Sequence, residues 1–366
     1  MIKIHNKSSK PDNIVSNEHQ TIEKIIAIEN SLPNFMRDYF VYLKSAVAIN
    51  SRFAYLNDIK FFCEYLVNET DITVADDVTN ISENEFNKMK SRDVNIFLGD
   101  YCTRYYKNSA DSTTIYENNN RALSRKKSAL SSLFKFLYRN EQMDNNIVEG
   151  LNPIKLPKPQ PDAIKRLYIE ELNKLLDVVK TGVGLTDNEK IYWDKTKLRD
   201  KAIILLFTTY GLRLKELQEL NISSFNFTRK EFVIYRKRAK ESVMPLNQSI
   251  EVSVKDYIKN ERYKHSNDED ALFLSMQQKR LSERSIRKLV KKYTSIALDK
   301  PRDSGYSPHK LRATAASTLI EFGFSIYDVQ NLLDHDNVTT TQLYSAHKKN
   351  SKRDIIANYE LDKNEE

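Results

Sequence analysis

The sequence predicts a mainly α-helical chain of two domains with one small antiparallel β-sheet. Three observations predict it: apolar residues recur at helical spacing in both halves, a proline-rich stretch separates those halves, and one pair of short apolar segments reads as strands. Residues 1–33 are polar and mixed and read as an N-terminal extension. Over 34–151, Phe35, Tyr39, Tyr42 and Leu43 recur at helical spacing, as do Phe53, Ile59, Phe62, Cys63 and Leu66. Val94, Phe97 and Leu98 follow, then Ala129, Leu130, Leu133, Phe134 and Leu137, which makes this a domain of at least four helices. Pro153, Pro157, Pro159 and Pro161 fall within ten residues, where neither a helix nor a central strand persists, so 152–166 reads as a linker.

The second domain spans 167–350. Tyr168 to Val179 predicts an amphipathic helix, and Thr181 to Lys197 a polar loop or small insertion. Ala202 to Thr208 is almost wholly apolar and predicts a buried helix, stopped by Gly211 where the chain needs a positive φ. Phe232 to Tyr235 and Ser242 to Leu246 predict two strands joined by a basic turn, and the pattern is helical from Ser282 onward. The charged tail 351–366 carries Ile355, Ile356, Tyr359 and Leu361 at near-helical spacing.

Composition narrows the function. The 366 residues hold 58 Lys+Arg against 50 Asp+Glu, a net charge of +8 that points to an anionic partner, nucleic acid first. Only seven glycines are present; no phosphate-cradling G-x-x-x-x-G-K-[ST] exists, and Gly182-Val-Gly184 lacks the third glycine of a dinucleotide fingerprint. Cys63 and Cys102 stand without C-x-x-C spacing, which argues against a disulfide framework or structural zinc and fits a reducing cytoplasm. No apolar run approaches the roughly 18 residues a membrane span needs, and Met1 to His5 is not followed by a signal-peptide core.

Four segments carry residues suited to chemistry. In Tyr210-Gly211-Leu212-Arg213-Leu214-Lys215-Glu216-Leu217, Arg213 follows a helix-ending glycine near a new helix start, where backbone N–H groups also favour an anion. A surface arginine paired with Glu216 three residues on accounts for the same pattern. Tyr235-Arg236-Lys237-Arg238-Ala239-Lys240 is a basic hairpin tip that can deliver an ammonium to a phosphate, or simply a solvated loop. Ser307-Pro308-His309-Lys310-Leu311-Arg312 opens a helix with Ser307 at the N-cap and Pro308 at the first position, placing His309 and Arg312 on one face. Leu333-Asp334-His335 is followed by Thr339 and Gln342, a capping-box pattern that puts Tyr344 in the first turns of a short helix.

Taken together the segments resemble the tyrosine recombinase, or phage integrase, family. Gly211 to Leu217 resembles its G-L-R-x-x-E-L box, His309 to Arg312 its H-x-L-R box, and Leu333, Asp334 and His335, with Tyr344 nine residues on, its L-G-H and tyrosine. Counting back from Val243-Met244-Pro245-Leu246, the family's hairpin lysine falls on Lys237. Ser51 to Phe62 and Arg125 to Leu137 are similar to helices of the family's core-binding domain, and Asn152-Pro153 to its end. The long first domain and the polar insertion before Arg213 look most like the Xer-like branch, the single-protein recombinases of Gram-positive bacteria. Three departures stand out: Asp334 replaces a glycine, Arg236 and Arg238 replace glycines flanking the lysine, and Ala313 follows Arg312 where histidine is common.

The resemblance implies a helical, SAM-like core-binding domain followed by a catalytic domain, and site-specific cutting and rejoining of double-stranded DNA through a 3′-phosphotyrosine. It implies Tyr344 as nucleophile, Arg213 and Arg312 on the phosphate oxygens, and Lys237 as general acid to the leaving oxygen. His309 and His335 then hydrogen-bond the phosphate or relay a proton, and Glu216 orients the basic groups. No metal and no cofactor are implied. Arg125, Lys126, Lys127, Lys135, Arg139, Arg236, Arg238 and Lys240 are the basic residues available to the DNA backbone, a solvated surface being the alternative. The expected partners are a recombination site with inverted-repeat arms and further copies of the chain, a homodimer per site and a homotetramer in synapsis, with 351–366 as the protomer contact. A catalytically weakened DNA-binding accessory protein and a type IB topoisomerase-like enzyme fit the same motifs.

Overall fold

The computed structural model describes residues 10–109, 112–157, 165–236, 240–263, 268 and 270–334, and divides into two units, Met1–Lys158 and Pro159–Glu366.

The first unit is built on a cluster of aromatic side chains. Of the stretch read as an N-terminal extension, the described residues 10–33 include a helix that packs in that unit. Helix α1 (Asp12–Glu29) buries Ile14 and Ile25 and packs on α3 (Ile49–Glu69), where Glu29 pairs with the buried Arg52. Its apolar residues are split between Ile14-Val15 and the stretch 22–28 with a polar run between them, so no continuous stripe marks the helix and it depends on this tertiary contact. Helix α2 (Arg37–Ala46) contributes Tyr39, Phe40 and Leu43, while the short α4 (Glu83–Asn87) and α5 (Ser91–Ile96) contribute Phe86 and Val94. Phe62 of α3 meets Phe86, Phe97 and Phe134 edge-on at 6.4, 4.9 and 6.0 Å.

Strands β1 (Arg104–Ser109) and β2 (Ser112–Glu117) form an antiparallel hairpin registered from Arg104↔Glu117 to Ser109↔Ser112. The sequence did not reveal it because β2 is exposed at every position, so no alternation of apolar and polar residues marks it. Helix α6 (Asn120–Arg139) starts at Asn119, whose side chain accepts the backbone N–H groups of Arg121 and Ala122. It buries Leu123, Ala129, Leu130, Leu133, Phe134 and Leu137.

Three of the basic residues expected on DNA have partners within this unit, and one of them, Lys126, is buried. Asp58 on α3 is buried; Lys126 donates to it at 3.1 Å and Arg125 pairs with its other oxygen. Burial pushes the Asp58 carboxyl above its ordinary pKa despite both cations. Lys126 is itself buried, over the Phe61 ring at 4.5 Å, so it cannot reach a phosphate. Lys127 is turned to the carbonyls of Leu151 and Asn152 at 3.3 and 2.7 Å. Lys135 and Arg139 are exposed and line an open groove with Tyr42, Ser128, Phe136 and Asn140.

The second unit packs around α9 (Lys197–Tyr210). The preceding stretch contains α7 (Ile169–Thr181) and α8 (Asp187–Asp194). Helix α8 corrects the expectation of a loop over Thr181 to Lys197: Thr186 and Glu189 form a capping box, and the Trp193 ring N–H reaches the Val179 carbonyl at 2.9 Å. After α10 (Leu214–Gln218), strands β3 (Phe225–Asn226), β4 (Glu231–Tyr235) and β5 (Glu241–Pro245) make one antiparallel sheet in sequence order. Phe232 faces Met244, and Tyr235 faces Glu241. Helices α11 (Gln248–Asn260), α12 (Glu283–Ala297), α13 (Pro308–Glu321) and α14 (Ile326–Leu333) follow.

Ala202, Ile203, Ile204, Leu206 and Phe207 make α9 a core helix against α7, α11 and α13. Its first turn buries Asp200, held by Tyr293 at 2.7 Å and Arg199 at 2.8 Å. At its far end the Tyr210 hydroxyl donates to the Pro245 carbonyl at 2.7 Å and accepts the Asn247 N–H at 3.0 Å, which pins the sheet to the helix.

Lys126→Ala leaves Asp58 buried with one cation in place of two, and is expected to cost on the order of 3 kcal/mol of folding stability. Lys135→Ala, on the exposed face, should stay within about 0.5 kcal/mol. Urea unfolding of both variants checks the contrast.

Candidate active site

The site begins where α9 stops. Gly211 adopts φ +58°, and a Cβ there would lie 2.5 Å from a Leu333 methyl and 3.4 Å from Arg312 Cγ. Glycine therefore serves two ends: it reverses the chain in a left-handed conformation, and it lets the end of α14 come down onto the turn. The reversal puts Arg213 at the N-cap of α10, with its own backbone N–H on Glu216 Oε2 at 2.8 Å and its guanidinium on Oε1 at 2.7 Å. Glu216 is only 4% exposed, while Arg213 is half-buried. The surface pair and the oriented site arginine that the sequence allowed are thus one arrangement.

Arg312 comes from α13, one turn after Pro308 starts that helix. Ser307 occupies the N-cap position without a capping side-chain bond; its carbonyl accepts the Lys310 and Leu311 N–H groups instead. Arg312 is buried, donates to the Gly211 carbonyl at 2.7 Å, and hydrogen-bonds the Leu333 carbonyl through Nη2. His309 lies one turn earlier on the same helix. Desolvation first, then the cations Lys310 and Arg312, lowers its imidazole pKa from the usual value, which favours the neutral form.

The third guanidinium is Arg236, at the end of β4. It corrects the expectation of a DNA-facing side chain: it is 6% exposed and donates to the carbonyls of Leu333 at 2.9 Å and Leu332 at 2.7 Å. Burial lowers its pKa, Glu216 and Asp334 opposing that shift and Arg213 adding to it. Asp334, the residue in place of a glycine, caps α14 in the left-handed region at φ +53°. Its carbonyl accepts from Arg213 Nη2 at 2.9 Å, and its carboxylate lies 4.0 Å from Arg213 Nη1 and 3.7 Å from Lys240 Nζ. Lys240 is otherwise exposed.

Arg213, Glu216, Arg312 and Arg236 therefore converge on one helix end, with Lys240 at its rim and His309 on α13. Lys237, Arg238, His335, Tyr344 and the tail 351–366 lie outside the described residues. The chain leads directly from Arg236 to Lys237 and from Asp334 to His335. Sequence reasoning missed the acceptors: the carbonyls of Leu332, Leu333 and Asp334 leave no side-chain signature. Chemically, the arrangement concentrates positive charge in a partly dry setting suited to a phosphate diester.

Gly211→Ala combines an unfavourable φ with the Leu333 clash, so it is expected to lower stability by about 1 to 3 kcal/mol and to displace Arg312. Thermal unfolding reads the first effect, and a crystal structure of the variant the second.

Comparison with known proteins accords with this geometry. Residues 165–351 match the Phage integrase family. Tyrosine recombinase XerC of Mannheimia succiniciproducens is 34% identical over 225 residues, covering 62% of this chain and 70% of the relative. The XerC of Oceanobacillus iheyensis is 28% identical over 299 residues, 80% of this chain and 83% of the relative. Among solved structures, XerH site-specific recombinase bound to palindromic difH substrate superposes with a TM-score of 0.59 at 19% identity, over 85% of this chain and 79% of that one. A lambda integrase dimer bound to a COC′ core site superposes at 0.57 and 15% identity, over 86% and 95%. The two structures share the fold; the sequence match carries the kinship, and the chain belongs to the phage integrase family of tyrosine recombinases.

Proposed function

We propose that this tyrosine recombinase breaks and reseals double-stranded DNA at a specific site, with Tyr344 as nucleophile. The phenol oxygen attacks a backbone phosphorus, the bond to the 5′ oxygen breaks, and the resulting 3′-phosphotyrosine stores the bond for transfer to another strand without ATP. The observation that carries the reading is the convergence of Arg213 and Arg312 at the end of α14, one residue before His335 and ten before Tyr344.

The energetics favour such a pocket. Ionising a free tyrosine, pKa about 10, at pH 7 costs roughly 4 kcal/mol. An arginine that neutralises phosphoryl charge in a transition state contributes roughly 10³ to 10⁵-fold, or about 4 to 7 kcal/mol. Lys237 would protonate the departing 5′ oxygen, and Glu216 holds Arg213 by two hydrogen bonds so that little reorganisation is left to the reaction. The shift of His309 toward its neutral form suits it to donate to a phosphate oxygen without adding charge.

The partners follow from the same reading. XerH is solved on difH DNA, and lambda integrase both as a dimer on a core site and as a tetramer on a Holliday junction. For this chain the corresponding assembly is a homodimer on inverted-repeat arms and a homotetramer in synapsis, with 351–366 contacting the neighbour. Among the described residues expected on DNA, Lys135 and Arg139 on α6 and Lys240 beside the hairpin are exposed, as is Arg125 although it pairs with Asp58, and these are the cations we assign to the DNA backbone. No helix among the described residues is long and apolar enough to cross a membrane, and the proposed setting is the cytoplasm. The chemistry serves chromosome dimer resolution and mobile-element integration or excision alike.

A nicked duplex carrying the recombination site tests the proposal, because loss of the short strand traps the covalent adduct. Wild type should form it; Tyr344→Phe should bind the DNA with similar affinity and form none. No adduct from wild type would overturn the reading, and an adduct retained by Tyr344→Phe would overturn the choice of nucleophile.

A further inference from the structure

We propose that Arg236 is a positioning residue for strand cleavage, bridging the Leu332 and Leu333 carbonyls so that α14 is registered against Arg213 and Arg312, with Asp334 completing that register. The inference rests on the reading of Arg213 and Arg312 as phosphate-binding groups.

Three successive carbonyls, those of Leu332, Leu333 and Asp334, hold three guanidinium groups from three separate elements. Arg236 comes from β4, Arg312 from α13 and Arg213 from the turn before α10. The Leu333 oxygen accepts from both Arg236 and Arg312, so a shift of one moves the acceptor of the other. Arg236 is held there at a cost. Its side chain is 3% exposed and, among the described residues, its nearest carboxylate oxygen, on Glu216, is 3.9 Å away and its buried Nε has no hydrogen-bond partner. A cation buried at that expense cannot face a DNA backbone, and a helix end could be capped more simply.

Asp334 supplies the second fastening. Its carboxylate lies between Arg213 and Lys240, at 4.0 and 3.7 Å, while the Arg236 backbone N–H closes the hairpin on the Lys240 carbonyl at 2.8 Å. Both feet of the hairpin that carries Lys237 are therefore tied to the last turn of α14. The added cation and the added carboxylate, each in place of a glycine of the family pattern, act on the same helix end.

The test uses the full-length chain and the nicked duplex, reading single-turnover adduct formation at saturating DNA alongside DNA affinity as a function of salt. Arg236→Lys keeps the charge but replaces the planar two-armed guanidinium, whose Nη1 and Nη2 each take one carbonyl, by a single ammonium that cannot reproduce that geometry; it should slow cleavage roughly 10- to 100-fold, as an ångström-scale misplacement does, with affinity and its salt dependence at wild-type values. In the pair Arg236→Gly and Asp334→Gly, the double variant should lose less than the product of the single losses, because both serve one register. An Arg236→Lys rate equal to wild type overturns the positioning role, as does a loss confined to affinity with the salt slope reduced by about one, the mark of a phosphate contact. Strictly multiplicative losses in the double variant overturn the part given to Asp334. Should Arg236→Gly fail to fold, Arg236→Lys decides alone. Wild type that forms no adduct overturns the reading of the site and this proposal with it, an outcome distinct from the others.

Discussion

Everything at the site depends on how one helix ends. The last carbonyls of α14 have no partners within the helix and carry the negative pole of its dipole. In this chain they are met by Arg236, Arg312 and Arg213 instead of by water or a glycine-led turn. The same bonds satisfy the helix end and gather cations that would otherwise repel one another. Glu216 and Asp334 are the carboxylates placed among them.

The rest of the second unit holds that helix end in place. Gly211 removes the atom that would collide with Leu333, and its left-handed turn sets Arg213 at the start of α10. Helix α9, which delivers Gly211, is fixed at one end by the buried Asp200 and Tyr293, and at the other by the Tyr210 hydroxyl bridging to β5. The β4–β5 pairing then carries Arg236 to the site. Core packing and site geometry are the same contacts seen at two distances.

Much of this was legible in the sequence, for identifiable reasons. The four boxes declared themselves because their chemistry lies in side chains at fixed local spacing: Gly211 with Arg213 and Glu216, His309 with Arg312. The buried α9 and the β4–β5 hairpin followed from unbroken or alternating apolar runs. What stayed hidden depends on partners distant in sequence. Helix α1 needs α3 to be a helix worth forming, the exposed strand β2 has no buried face to mark it, and α8 announced itself only through Thr186 and Glu189, an easily overlooked cap. Lys126 and Arg236 read as surface cations because a basic run does not say which member turns inward; Asp58 claims one and the α14 carbonyls the other. Backbone acceptors are invisible to any inventory of side chains.

The most direct measurement replaces the Leu333–Asp334 amide with an ester by semisynthesis. An ester carbonyl is a weaker acceptor, so the bonds from Arg236 and Arg312 to Leu333 weaken while every side chain is kept. An ester at Asp328–Val329, which removes the Val329 N–H to Ser325 carbonyl bond at 3.1 Å, serves as the control for an ordinary helix hydrogen bond. If the carbonyl end of α14 organises the arginines, adduct formation falls about tenfold or more for the Leu333–Asp334 ester, with DNA affinity unchanged and the control near wild type. Equal rates for the two esters would contradict the account.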